Sequence, residues 1–154
     1  MFRIERLRLR LIRLPLVAFF ETSFSRVYDK TFVLVSLDGG GVEGLGECVA
    51  DADPYYSAET NVTAWHLIKD FIAPLVLGRT FADPREVFPS LARVRGHHMA
   101  KAAVEMAAWD LAARSRQAPS SRAAAASAAD RIDSSRQRSV ARSAWSSACR
   151  KRSS

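Results

Sequence analysis

The chain has 154 residues, enough for one ordinary domain and too few for two of normal size. Its composition is 48% hydrophobic with a formal net charge of +7, and the charge is unevenly placed. The stretch from Arg114 onward holds ten basic and two acidic residues, which leaves thirteen against fourteen before it. A nucleic-acid or anionic-membrane reading therefore attaches to the tail alone and finds no support in the body. No apolar run reaches the roughly 18–20 residues that a membrane span requires. Two cysteines, Cys48 and Cys149, are too few for a disulfide framework, so a reducing, cytoplasmic setting is expected. Arginines at 3, 6, 8, 10 and 13 break up what a signal peptide would need as an apolar region.

In chain order, residues 2–14 alternate apolar and charged side chains, with Leu7, Leu9 and Leu11 set against Arg6, Arg8 and Arg10. That period of two predicts a half-buried strand, closed by Pro15. Residues 31–37 are β-branched and aromatic and predict a second strand. Asp38-Gly39-Gly40-Gly41 supplies the positive-φ positions of a tight reversal, and residues 42–49 return as a third strand. The product is a three-stranded antiparallel meander. Between the first two strands, residues 17–30 form a connection longer than a minimal hairpin and carry Phe19, Phe20, Phe24 and Tyr28. Two uses fit these rings: completing the core from below, or contacting a ligand from a functional loop.

The helical half begins with Ser57 as a plausible N-cap. Val62, Trp65, Ile68 or Lys69, and Ile72 follow at helical spacing, with Pro74 and Gly78 as the stop. Asp83-Pro84-Arg85-Glu86 reads as a cap, a proline at the first helical position and a reciprocal glutamate. Pro89 then bends or shortens that helix. Residues 97–113 have high helix propensity, and their many alanines permit close packing. The fold class is thus α+β, a meander followed by a helical bundle over 1–113. Residues 114–154 form a Ser/Ala/Arg tail, with too little apolar surface to offset chain entropy.

Catalytic chemistry is sparse in these residues. His97 and His98 diverge by about 100° on a helix and do not make a shared metal site, so they read as surface residues. Cys48 reads as a small buried residue. The triple glycine lacks the following helix that a phosphate-cradling loop needs.

Several stretches resemble the o-succinylbenzoate synthase and N-acylamino acid racemase group of the enolase superfamily. They are Pro15-Leu16-Val17 with Glu21-Thr22-Ser23-Phe24, Gly44-Leu45-Gly46-Glu47-Cys48-Val49, Pro54-Tyr55-Tyr56-Ser57 and Thr63-Ala64-Trp65-His66. Residues 99–111 resemble the first signature of the mandelate racemase and muconate-lactonizing enzymes. The resemblance covers about residues 1–119. It implies an N-terminal capping domain, similar in fold to that of enolase, which closes over a (β/α) barrel and shapes the pocket for a small carboxylate substrate. It also implies that Phe20, Phe24, Asp51 and Tyr56 contact the substrate. Asp51 departs from the apolar residue usual there, Ser25 from a glycine, and His98 from an arginine.

The resemblance stops at Ser120. The family's lysine pair, opposing lysine and three magnesium-binding carboxylates belong to the barrel. No catalytic residue, metal ligand or cofactor is therefore expected within this chain. The expectation is a truncated remnant, with a tail of the composition a GC-rich region gives when read out of frame. An uncovered apolar face should make it self-associate. A non-enzymatic module whose basic tail binds nucleic acid or an anionic surface is the alternative.

Overall fold

The structure is a computed structural model, and it describes residues 1–21 and 26–117. The first predicted strand divides in two. β1 (Phe2–Arg3) leaves the main sheet to pair antiparallel with β5 (Thr80–Phe81), and β2 (Arg6–Glu21) runs on alone. β3 (Arg26–Gly39) and β4 (Val42–Cys48) complete the meander in the order β2-β3-β4, all antiparallel. Pro15 does not close the strand as expected. β2 is an edge strand, where a missing N–H costs no ladder bond, and the register slips between Pro15 and Phe20. The long connection is thereby drawn into a two-stranded arm, with Pro15 opposite Asp29 and Phe20 opposite Val27.

Register explains the alternation. Leu7, Leu9 and Leu11 lie opposite Leu37, Val35 and Val33, which in turn face Gly44, Gly46 and Cys48 on β4. This row is the core face of the sheet, and Val33, Val35, Leu37 and Cys48 are fully buried. The opposite face is polar. Arg8 reaches both Asp38 at 2.8 Å and Glu43 at 3.0 Å, and Arg10 donates to the buried Ser36 hydroxyl at 3.2 Å. Burial pushes the Asp38 carboxyl above its ordinary value, and the Arg8 guanidinium opposes that shift. The β3–β4 reversal uses Gly40 (φ 58°) and Gly41 (φ 74°), the paired left-handed residues of a hairpin turn that matches strand twist.

The first helix is capped by Thr60, not Ser57. The Thr60 side chain accepts from the Thr63 amide, while Thr63 Oγ1 accepts from the Thr60 amide at 2.8 Å, a reciprocal pair; the Ser57 hydroxyl accepts from the Glu59 amide at 3.0 Å instead. α1 (Asn61–Leu67) passes into a wider π turn at Ile68–Ile72 and then α2 (Ala73–Val76). Pro74 therefore sits inside the helical run instead of ending it. A proline offers no N–H to the preceding turn, and the widened turn just before it relieves that mismatch. Ile68, not Lys69, faces inward, and Val62 is exposed. The run ends at Gly78 (φ 76°).

Asp83 caps a 3₁₀ turn at Pro84–Glu86, accepting from the Arg85 amide at 2.9 Å, and Glu86 accepts from the Ala82 amide at 3.2 Å. Arg85 also holds the Asp83 carboxyl well below the usual carboxylate range. α3 (Val87–Ser90) is a single turn, shortened around Pro89 as expected.

α4 (His98–Gln117) runs four residues past the expected end. Its first amides are satisfied from far away in sequence, because the Glu59 carboxylate accepts from Met99 N at 3.0 Å and Ala100 N at 3.1 Å. Helix and sheet meet at a seam of small residues. A Cβ built on Gly44 would collide with the backbone of Ala107 and Leu111, and one on Gly46 with that of Ala103 and Ala107. The Leu45 amide, between the two glycines, donates to Asp110 Oδ2 at 2.9 Å and ties β4 to α4.

Two expectations follow. Gly46→Ala places a methyl into helix backbone that cannot swing aside, so it should lower unfolding free energy by about 1–3 kcal/mol in urea denaturation. Asp110 is held below its ordinary 3.8, first by the hydrogen bond from Arg114, with the Leu45 amide adding to it. Its contribution to stability is complete above 3.8 and is lost as pH falls through the lower folded value. Thermal unfolding of Asp110→Asn should therefore lie below that of the parent chain at neutral pH, and the difference should shrink in acid.

Candidate functional site

The four substrate-contact positions named from the resemblance lie in two loops. Phe20 is near the far end of β2 and is 61% exposed. Tyr56 lies in the segment between β4 and α1 and is 86% exposed. Asp51 opens that segment, and Phe24 lies outside the described residues. The choice left open for the loop aromatics is resolved for three of them: Phe19, Phe20 and Tyr28 are at least half exposed and do not complete the core. They sit on the arm because β2 and β3 continue outward past the last residues that the helices cover.

The arm is ordered by its own contacts. Phe19 and Tyr28 pack across the strands with ring centroids 6.1 Å apart, and the Arg26 guanidinium lies 5.1 Å over the Phe19 ring. Arg26 also pairs with Glu21 at 2.7 Å, and Arg13 with Asp29 at 2.6 Å. The base of the arm is joined to the second loop. Lys30 Nζ meets Asp51 Oδ1 at 3.0 Å, the Asp51 carbonyl accepts from the Asn61 amide at 2.8 Å, and Asn61 Nδ2 donates to the Thr31 carbonyl at 3.1 Å. Asp51 thus has a partner that its residue type alone did not reveal, a cation on the neighbouring strand. No ring contact joins Phe20 to Tyr56 among the described residues.

Other site-forming residues escaped the sequence reading. Lys101 is buried on α4, where it donates to the Val94 carbonyl at 3.2 Å and lies 5.4 Å over the Phe88 ring. Its place among core-facing alanines was the only available signal. His97 is half-buried with φ 51°, whereas His98 is exposed as expected. Cys48 is buried, and burial raises its thiol above the ordinary value, so it is not a poised nucleophile.

Magnesium, which the resemblance implies for the whole enzyme, finds no fit here. Among the described residues no group of three or more His, Cys, Asp or Glu side chains could hold a metal ion. Among those same residues no helix is long and apolar enough to cross a membrane.

A three-stranded meander with a helical layer on one face, and an arm and loop projecting from one end, defines a capping-type α+β domain. The chain belongs to the mandelate racemase / muconate lactonizing enzyme family, whose N-terminal domain model matches residues 9–122. It is 42% identical over 121 residues to an o-succinylbenzoate synthase from Geobacillus stearothermophilus, covering 78% of this chain and 32% of that one. It is 45% identical over 109 residues to an N-succinylamino acid racemase from Thermus thermophilus, covering 71% and 30%. A solved enolase-superfamily member from Listeria innocua superposes with a TM-score of 0.71 at 35% identity, covering 75% of this chain and 32% of its own. The chain spans about a third of the length of these relatives.

Surface placement of the arm rings has a consequence for stability. Phe20→Ser should shift unfolding free energy by no more than about 0.5 kcal/mol, and Phe19→Ser, which also loses the Tyr28 and Arg26 contacts, by about 0.5–1.5 kcal/mol. Binding of a hydrophobic dye should fall in both, read by fluorescence titration.

Proposed function

We propose that residues 1–113 act as the capping domain of an enzyme of the o-succinylbenzoate synthase and N-succinylamino acid racemase type. Phe20, Phe24, Asp51 and Tyr56 face its small carboxylate substrate in this reading. Its single strongest support is that the arm and the loop after β4 expose aromatic side chains while being tied together at their base by Lys30 and Asp51. Aromatic rings supply large apolar contact area at small entropic cost, which suits an acyl or aryl portion of a substrate. Asp51 bears on the substrate through its pairing with Lys30, which fixes the spacing between the two loops.

The reaction type is proton removal next to a carboxylate with magnesium stabilising the charge that develops. In this reading base and metal ligands belong to a barrel, and a polypeptide of these 154 residues alone is inactive. Without that partner, the exposed apolar residues of the arm, with Met106 and Trp109 on α4, favour self-association. A cytoplasmic setting accompanies the reading, and the basic tail has no part in it.

The test is a graft of residues 1–117 onto the barrel of the Geobacillus stearothermophilus relative. The graft should give magnesium-dependent dehydration or racemisation. Phe20→Ala and Tyr56→Ala in the graft should each lower kcat/KM by about tenfold or more with unchanged thermal unfolding. Turnover by the 154-residue chain alone would sink the reading, as would a folded, active graft indifferent to both substitutions.

A further inference from the structure

A groove away from the two loops carries a second set of recognition elements. It is open, has a volume of about 510 Å³, and lies between the π turn with α2 on one side and the segment before α4 on the other. None of Phe20, Asp51 or Tyr56 lines it. The volume falls in the range of small-molecule sites, roughly 300–1,000 Å³.

One wall is apolar, formed by Leu67, Phe71, Pro74 and Leu75. Phe71 is 53% exposed and meets the His66 ring edge-on, with centroids 5.5 Å apart. The π turn that presents it is a distortion found often at functional sites. The other wall is cationic. Arg93 and Arg95 line it, and neither has an ion-pair or hydrogen-bond partner among the described residues. The lone acid in the lining, Asp70, is already engaged by His66 at 2.8 Å and by Lys69 at 3.5 Å. The groove therefore keeps uncompensated positive charge beside apolar surface.

The cationic wall is held in place. Lys101, buried, anchors the Val94 carbonyl between the two arginines, and His97 holds a left-handed backbone conformation. His97 also lines the groove, and its Nδ1 is enclosed without a hydrogen-bond partner among the described residues. The α4 N-terminus does not supply the attraction, because its Met99 and Ala100 amides already bond Glu59.

We propose that this groove binds a small amphipathic carboxylate, its charged end on Arg93 and Arg95 beside His97 and its apolar body on Phe71, Pro74 and Leu75. Two guanidiniums favour a planar carboxylate through paired hydrogen bonds. The apolar wall selects against a fully hydrated anion. This site is separate from the substrate-facing loops and stands whether or not the capping role does.

The test is titration of the full chain with 4-phenylbutyrate, followed by calorimetry and by backbone amide shifts. Saturable binding should move amides of the π turn and of residues 93–97. 4-Phenylbutanol, which lacks the charge, and inorganic phosphate, which lacks the apolar body, should each bind at least about tenfold more weakly. The R93A/R95A double variant should raise Kd at least about tenfold with unchanged thermal unfolding, since both side chains are exposed, and R93K/R95K should recover part of the loss. Arg85→Ala, an exposed arginine paired with Asp83 elsewhere, should leave Kd unchanged. No saturable binding, equal affinity for the alcohol or for phosphate, or shifts confined to the β2–β3 arm would each overturn the proposal.

Discussion

The fold depends on how closely α4 approaches β4. Gly44 and Gly46 point at the helix from alternate positions on the strand, and each is opposed by helix backbone where a side chain would otherwise stand. Ala103 and Ala107 return the arrangement from the helix side. Close approach of two backbones removes nearly all space for water and brings dispersion contacts to full depth. It also fixes the height of the helix above the sheet, and with it how far the larger residues can reach. Val104 and Leu111 then fill the flanks beside Val35 and Leu37, all fully buried. A larger residue at either glycine would lift the helix and open voids along the whole interface.

The seam also explains why one part of the molecule is tightly packed and another is bare. α4 covers β3 and β4 and leaves the outer reach of β2 without a helix above it, so Leu11 on the core face of that strand is about half exposed. Past that point, among the described residues, the two strands of the arm pack on each other. Their stability there comes from cross-strand rings and ion pairs, not from a shared core. Exposed pairs of this kind contribute little each, which leaves the arm free to vary in sequence without unfolding the body.

Much of this was legible in the sequence, and the failures have identifiable causes. The period-two pattern of Leu7, Leu9 and Leu11 located the core face, and the triple glycine located the reversal, because both signals come from local geometry. Pro15 misled because proline's cost depends on whether the strand is at an edge, which is a property of the sheet. Ser57 misled because three hydroxyl residues, each three apart, compete there; Thr60 makes the reciprocal pair with Thr63, while the Ser57 hydroxyl accepts from the Glu59 amide. Pro74 misled because a π turn absorbs it, and nothing in the local composition announces that turn. Of the candidate site, the arm aromatics were visible as residue types, while the Lys30–Asp51 pair required knowing which strand lies beside the loop. Phe24 and the Ser/Ala/Arg stretch from Ala118 onward lie outside the described residues. The family resemblance, read from motifs in their right order, was the most informative signal.

Long-range satisfaction of α4 is what makes the helical half a single unit. Glu59 belongs to the segment that leads into α1, yet its carboxylate holds the first turn of a helix some forty residues later. Lys101, one turn inside that helix, reaches back to the Val94 carbonyl. Glu59 fixes the start of the helix through its amides, and Lys101 ties the preceding segment to that helix at Val94. Exposed loops are ordinarily the least stable parts of a domain. Here Val94 is held by a buried ammonium, whose release would leave Lys101 without its carbonyl partner. A surface segment anchored in this way, with two arginines that no acid balances among the described residues, has the properties expected of a recognition element and not of a simple connection.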